Sequence, residues 1–168
     1  MSSAGSISSA PQGPLCIGHG YDIHRLKRGG RLVLGGVEVA GDLSAIAHSD
    51  GDVVIHAIVD ALLGAMCWGD IGGRFPDTDP QYKEVPSSFF LKDVHGAVRS
   101  AGYHILNVDV TILAQKPRIA PFRSRMIDCL QQMLDAPVSI KAGTNEGCDS
   151  VGHGEAIAAH AVVLLARD

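Results

Sequence analysis

What the sequence lacks narrows its function first. No apolar run approaches the ~20 residues that a bilayer-spanning helix needs, which argues against a membrane protein. There is no basic excess either: a formal net charge of -4 offers no general cationic face for nucleic acid. An acidic chain that handles anionic phosphates must therefore gather positive charge locally, from a metal or from a few Lys and Arg. Aromatic residues are scarce at 5%, so a core drawn from the 46% hydrophobic residues rests on Ala, Val, Ile and Leu. Cys16, Cys67, Cys129 and Cys148 form no CxxC pair, which excludes disulfide-rich and zinc-ribbon spacings. They read as reduced, mostly buried thiols in a reducing compartment. A Walker A loop, a nucleophile elbow and a dinucleotide fingerprint are also missing. The 168 residues suffice for one core and are too few to need two domains.

What is present falls into a simple order. Residues 1–14 are uncharged and rich in Ser, Gly, Pro and Ala, which predicts a flexible tail without the marks of a secretory signal or a transit peptide. Residues 15–168 are left as a single domain. Leu15 to His24 reads as a strand, and Arg31 to Ala40 as two short strands broken at Gly35-Gly36. A strongly apolar helix begins near Ser49 or Asp50, either a good N-cap, and runs to about Trp68. A second helix spans Ser87 to Ala101, a strand Tyr103 to Ala114, a third helix Pro121 to Leu134, and a strand Val138 to Ala142. The β-branched end of Glu155 to Ala166 favours a closing strand over a helix. The order β-ββ-α-α-β-α-β predicts an α+β sandwich with helices on one face of a mixed sheet.

Polar residues crowd Ala47 to Pro80, around the apolar helix. Asp22 and His24, two apart on a strand, leave the same face. Joined by His56 from the helix, they would give one carboxylate and two imidazoles, with a fourth tetrahedral position open as in catalytic zinc sites. Asp52, His56 and Asp60 recur every four residues, so Asp52 or Asp60 could accept the second ring N–H of His56. The alternative is that these are unrelated polar residues at element ends. His48 and Ser49, just before the expected helix start, could meet a phosphate there, or Ser49 could simply cap the helix. Asp70, Asp77 and Asp79 suit either sugar hydroxyls or ordinary turn chemistry. Lys116, Arg118, Arg123 and Arg125 make a local basic spot that could meet a diphosphate or just be solvated. Glu146 could ligate Mg2+ through oxygen, and Thr144 could donate to a phosphate.

Several longer motifs stand together in order. They are GYDIH (Gly20 to His24), AHSDGDVVIHA (Ala47 to Ala57), DALLGA (Asp60 to Ala65), GDIG (Gly69 to Gly72), FPDTDP (Phe75 to Pro80), NVDVTILAQKP (Asn107 to Pro117) and the Thr144-Asn145-Glu146 loop. From about Ile17 to Ala166 this pattern resembles the 2-C-methyl-D-erythritol 2,4-cyclodiphosphate synthase family. The resemblance implies a homotrimer of ferredoxin-like subunits with active sites shared between neighbours, and a phosphorus–oxygen lyase of the non-mevalonate isoprenoid route. Its substrate would be 4-diphosphocytidyl-2-C-methyl-D-erythritol 2-phosphate, with CMP released.

Carried over residue by residue, Asp22, His24 and His56 match the ligands of Zn2+ or another divalent transition metal, and Asp22 and His24 also touch substrate. His48 and Thr144 match the residues that hold the transferring phosphoryl group, with Ser49, Gly143 and Asn145 beside them. Asp70, Ile71 and Gly72 match the methylerythritol contacts, and Phe75, Pro76, Asp77, Thr78 and Asp79 the next substrate segment. Ala114, Gln115, Lys116 and Pro117, with Arg118, Ile119 and Ala120, match the cytidine pocket supplied by the adjacent subunit. Glu146 matches the ligand of Mg2+ or Mn2+ on the diphosphate.

The pattern departs from the family at Gly143-Thr144-Asn145, where a threonine run is usual, and at Ser150 and His153, where an aromatic residue and an arginine are frequent. In some relatives those last two positions help bind an isoprenoid diphosphate on the threefold axis. With His153 there, strong anion binding at neutral pH is not expected. A cytoplasmic bacterial setting is expected, with a plastid also open. Two rivals use the same residues: a zinc-dependent nucleoside diphosphate hydrolase and a non-catalytic metal-binding trimer.

Overall fold

The computed structural model describes residue 11 and residues 13–82 and 85–168; most of the expected tail lies outside the described residues. Where the tail is described it touches the fold: the Tyr103 hydroxyl donates to the Pro11 carbonyl at 2.5 Å, and the Arg167 N–H donates to that of Pro14 at 3.0 Å.

Long β-rich runs build the sheet. Strand β1 (Leu15–Arg28) pairs antiparallel with β4 (Leu43–Ala45) and with β7 (Ala156–Arg167); β7 pairs antiparallel with β5 (Tyr103–Leu113), and β5 pairs parallel with β6 (Val138–Gly143). The order β4-β1-β7-β5-β6 is thus a mixed sheet, as the sequence predicts. The expected hairpin is separate from it: β2 (Leu32–Leu34) and β3 (Val37–Ala40) meet at Gly35-Gly36, where both glycines take positive φ, as a two-residue turn between strands requires.

Helix α1 (Val53–Ala65) lies across β1 and β7, and every residue of it but Asp60 and Gly64 is buried. A helix apolar on all sides belongs inside the molecule. Helix α3 (Ser87–Ser100) packs on α1, and α4 (Arg123–Leu134) packs on α3 and β6. These three cover one face of the sheet. Each fully buried Leu or Ile there, such as Leu62, Leu91 and Leu130, stabilises the fold by roughly 1.5–3 kcal/mol.

The opposite face of β1 and β7 leaves Leu15, Ile17, Tyr21, Ile23 and Val162 exposed. Among the described residues a small cluster there is covered, where the single turn α5 (Asp149–Gly152) places Val151 over Ala156, Ala158 and Leu113. Helices on one face therefore describes the long helices but not this turn. The thiols also depart from expectation: all four are free, but only Cys16 is buried, whereas Cys67 and Cys148 are exposed and Cys129 is half-buried.

Candidate active site

Alternation along β1 sends Cys16, Gly18, Gly20, Asp22 and His24 toward the helical layer. The two glycines let the strand lie directly on α1. A Cβ on Gly18 would fall 1.8 Å from the Ala61 carbonyl oxygen, and one on Gly20 would fall 1.9 Å from that of Ala57. Backbone thus rests on backbone, and the next inward residue, Asp22, arrives beside His56.

Three donor atoms converge there. Asp22 Oδ2 is 3.0 Å from His56 Nδ1 and 3.1 Å from His24 Nε2, and those two nitrogens are 3.1 Å apart. Ligands held 2.0–2.1 Å from a tetrahedral zinc are separated by about 3.3 Å, so the triangle fits a divalent transition metal with little movement. Burial opposes the charge on Asp22, yet hydrogen bonds and attraction from His24 and His56 outweigh it and hold the carboxyl well below the ordinary carboxylate range. An acid that stays ionised is ready to ligate.

The triangle lies on the wall of a cavity of about 460 Å3. His48 and Asp77 stand at its exposed margin, with Nε2 and Oδ2 3.9 Å apart, and Ser49, Ile71, Gly72 and Phe75 complete much of the lining. A second cavity, of about 360 Å3, is lined by Ala114, Gln115, Pro117, Arg118, Ile119 and Ala120, together with Arg123, Gly143 and Thr144. Thr144 Oγ1 donates to Glu146 Oε1 at 2.9 Å. The two cavities share no lining residue within one chain.

The YgbB family model matches residues 15–166. The chain belongs to the YgbB family. It is 49% identical over 152 residues to the 2-C-methyl-D-erythritol 2,4-cyclodiphosphate synthase of Syntrophomonas wolfei, covering 89% of this chain and 97% of that one. Among solved structures, the bifunctional IspDF of Campylobacter jejuni superposes with a TM-score of 0.89 at 34% identity, covering 95% of this chain; the chain spans 44% of that longer protein. The IspF of Plasmodium falciparum, solved as a CDP complex, gives 0.81 at 34% identity, covering 92% of this chain and 97% of that one.

In this YgbB-family chain several roles expected from spacing fall elsewhere. Helix α1 is capped by Asp52 rather than by Ser49 or Asp50. The Asp52 carboxylate accepts from the N–H groups of Val54 and Ile55 and, across the hairpin, from those of Gly35 and Gly36. It is therefore engaged with backbone N–H groups rather than with the ring of His56. Asp60 accepts from the Ile71 N–H at 2.7 Å and so does not orient His56 either. The second ring nitrogen of His56, Nε2, instead meets Ser87 Oγ at 2.8 Å and Ser49 Oγ at 3.2 Å.

The loop residues divide in the same manner. Asp70 caps the single turn α2 (Ile71–Arg74) through the Gly73 N–H at 2.7 Å, and Asp79 accepts from the backbone and side chain of Gln81. Pro76, Thr78, Lys116, Asn145 and Glu146 are near the two cavities in sequence but are not among the residues that line them. Ile46, Ala47, Tyr82 and Phe90 line the first cavity, and Arg123 and Ala142 the second, outside the motif positions assigned to substrate. Phe90 offered one signal, a large aromatic in a chain poor in them. Tyr82 shared that signal and Arg123 belonged to the local basic spot, whereas Ile46, Ala47 and Ala142 are ordinary apolar residues that no local pattern marks as lining.

Proposed function

We propose that this chain closes the cyclic diphosphate of 2-C-methyl-D-erythritol 2,4-cyclodiphosphate from its cytidine diphosphate precursor. The observation that carries the reading is the convergence of Asp22, His24 and His56 in a cavity edged by His48. An oxygen of the substrate's 2-phosphate bonds to the β-phosphorus as the bond from that phosphorus to the bridging oxygen breaks, and CMP leaves with that oxygen. The substrate brings its own nucleophile, so the chain needs to supply position and charge neutralisation.

Asp22, His24 and His56 would hold Zn2+ or a similar divalent transition metal, and Glu146 would ligate Mg2+ or Mn2+ beside the diphosphate. When bound, these ions supply positive charge to the phosphoryl oxygens. His48 orients the transferring phosphoryl group from one side and Thr144 from the other, with Ser49, Gly143 and Asn145 adjoining. Asp70, Ile71 and Gly72 hold the methylerythritol, and Phe75, Pro76, Asp77, Thr78 and Asp79 continue that wall. The segment from Ala114 to Ala120 receives the cytidine.

A ferredoxin-like homotrimer follows from the same reading. It is supported by the separation of the two cavities within one chain and by the apolar residues left exposed on β1 and β7. Each complete site would then take His48 from one chain and Thr144 from its neighbour. Phosphorus NMR of the turnover mixture tests the reaction. A cyclic diphosphate with stoichiometric CMP is expected; two acyclic phosphates would assign the chain to hydrolysis instead.

A further inference from the structure

Beside the donor triangle lies a chain of partly to fully buried polar groups, two of which, Asp50 and Ser87, none of the roles above uses. Ser87, the first residue of α3, is fully buried. Its hydroxyl makes a short hydrogen bond to Asp50 Oδ1, and its backbone N–H donates to Asp50 Oδ2 at 3.2 Å. The Asp52 N–H also donates to Asp50 Oδ1, at 3.3 Å, so the carboxylate is fixed from both directions.

A carboxylate only accepts, and a serine hydroxyl has one proton to give. With that proton committed to Asp50, Ser87 Oγ can offer His56 Nε2, 2.8 Å away, nothing but a lone pair. Nε2 must then carry the ring proton, and the lone pair falls on Nδ1, the nitrogen beside Asp22 Oδ2 and His24 Nε2. Ser49 Oγ, 3.2 Å from Nε2 and accepting from the Gly51 N–H, is placed to share the same proton.

We infer that Asp50 and Ser87 are positioning residues that select the His56 tautomer and so present Nδ1, rather than Nε2, to a divalent transition metal. The inference rests on the metal reading of Asp22, His24 and His56, but not on the reaction assigned to the site. It also gives α3 a share in the metal centre, although α3 contributes no ligand.

The test uses the full-length protein loaded with Zn2+, with affinity measured by competition against a chromophoric chelator. Ser87→Ala removes the acceptor, and Asp50→Ala leaves the serine proton free to turn toward Nε2. Both variants should bind Zn2+ about 10–100-fold more weakly than the wild type, the range typical for loss of an outer partner. Asp50→Ala keeps the Ser87 hydroxyl but also removes the acceptor of the Ser87 N–H, so thermal denaturation is read beside the affinity. Weaker Zn2+ binding at a wild-type melting temperature reports orientation, and a loss that only follows lowered stability would overturn the inference. In the zinc-loaded wild type, 1H–15N spectra of labelled histidine should show one exchange-protected Nε2–H that disappears in Ser87→Ala. Wild-type Zn2+ affinity in both variants, or a zinc-bound His56 ligating through Nε2, would overturn the inference. A chain that binds Zn2+ in this way yet forms no cyclic product would overturn the proposed reaction and leave the inference standing.

Discussion

At the scale of single residues, the chain separates ligands from supports by where each carboxylate points. Asp22 faces the histidines, whereas Asp52 is buried among four backbone N–H groups that tie the start of α1 to the β2–β3 turn. Asp52→Asn replaces one acceptor oxygen with a donor that faces N–H groups, so it should destabilise the protein by about 1–3 kcal/mol in chemical denaturation. Burial pushes the Asp52 carboxyl up to about 6, against the pull of its N–H donors, from an ordinary 3.8. The folded state therefore holds this proton more tightly than the unfolded state. Its contribution is fully present below pH 3.8, is lost as pH rises through about 6, and is level above. The stability gap between wild type and Asp52→Asn should narrow from pH 4 to 6 and then stay constant; a gap that widens over that range would contradict this. The pairing of Asp22 with His24 was legible because a strand repeats every two residues. The true partner of His56 was not, since Ser87 lies 31 positions away and reads locally as the start of a helix.

At the scale of elements, the long periodic segments and the hairpin at Gly35-Gly36 were legible to within a few residues, and the other short elements were not. Strand β4 and the turns α2 and α5 have three or four residues each, too few to show any period. The start of α1 was misplaced because Ser49, Asp50 and Asp52 are all good caps by type, and only the hairpin decides among them. Gly18 and Gly20 attracted no role in the sequence, although their period of two faces a period of four at Ala57, Ala61 and Ala65. Their meaning exists only once β1 lies on α1. Gly20→Ala puts a methyl group where the Ala57 carbonyl already is, so strand or helix must move. The expected cost is about 3 kcal/mol, at the upper end of what overpacking usually exacts, together with weaker Zn2+ binding. Thermal denaturation and chelator competition check both parts; an unchanged Zn2+ affinity would show that the strand is not what sets the triangle.

At the scale of the whole molecule, the cavity edged by His48 and the cavity lined by Thr144 share no lining residue within one chain. If each working site joins His48 of one chain to Thr144 of the next, two inactive variants can repair one another. His48→Ala and Thr144→Ala should each be inactive as pure trimers. Random mixed trimers should regain about one quarter of wild-type sites, since each interface needs the intact residue from both sides. CMP release from co-expressed chains reads this directly, and complete inactivity of the mixture would place both residues in a site within one chain. Light scattering of Ile17→Lys, which sets a charge on the exposed apolar sheet face, should show dissociation to smaller species. None of the described helices is long and apolar enough to cross a membrane.

The bare contact between β1 and α1 also bears on how such a centre can change over generations. Where side chains separate two elements, each core substitution slides them slightly and retunes whatever they carry. Here carbonyls and amides form the seat, so drift among the surrounding Val, Leu and Ile residues has little purchase on the distance from Asp22 to His56. The same seat limits the engineer. A centre of altered span, for a larger ion, would have to be sought through rotamers of Asp22, His24 and His56 and not by repacking the core beneath them.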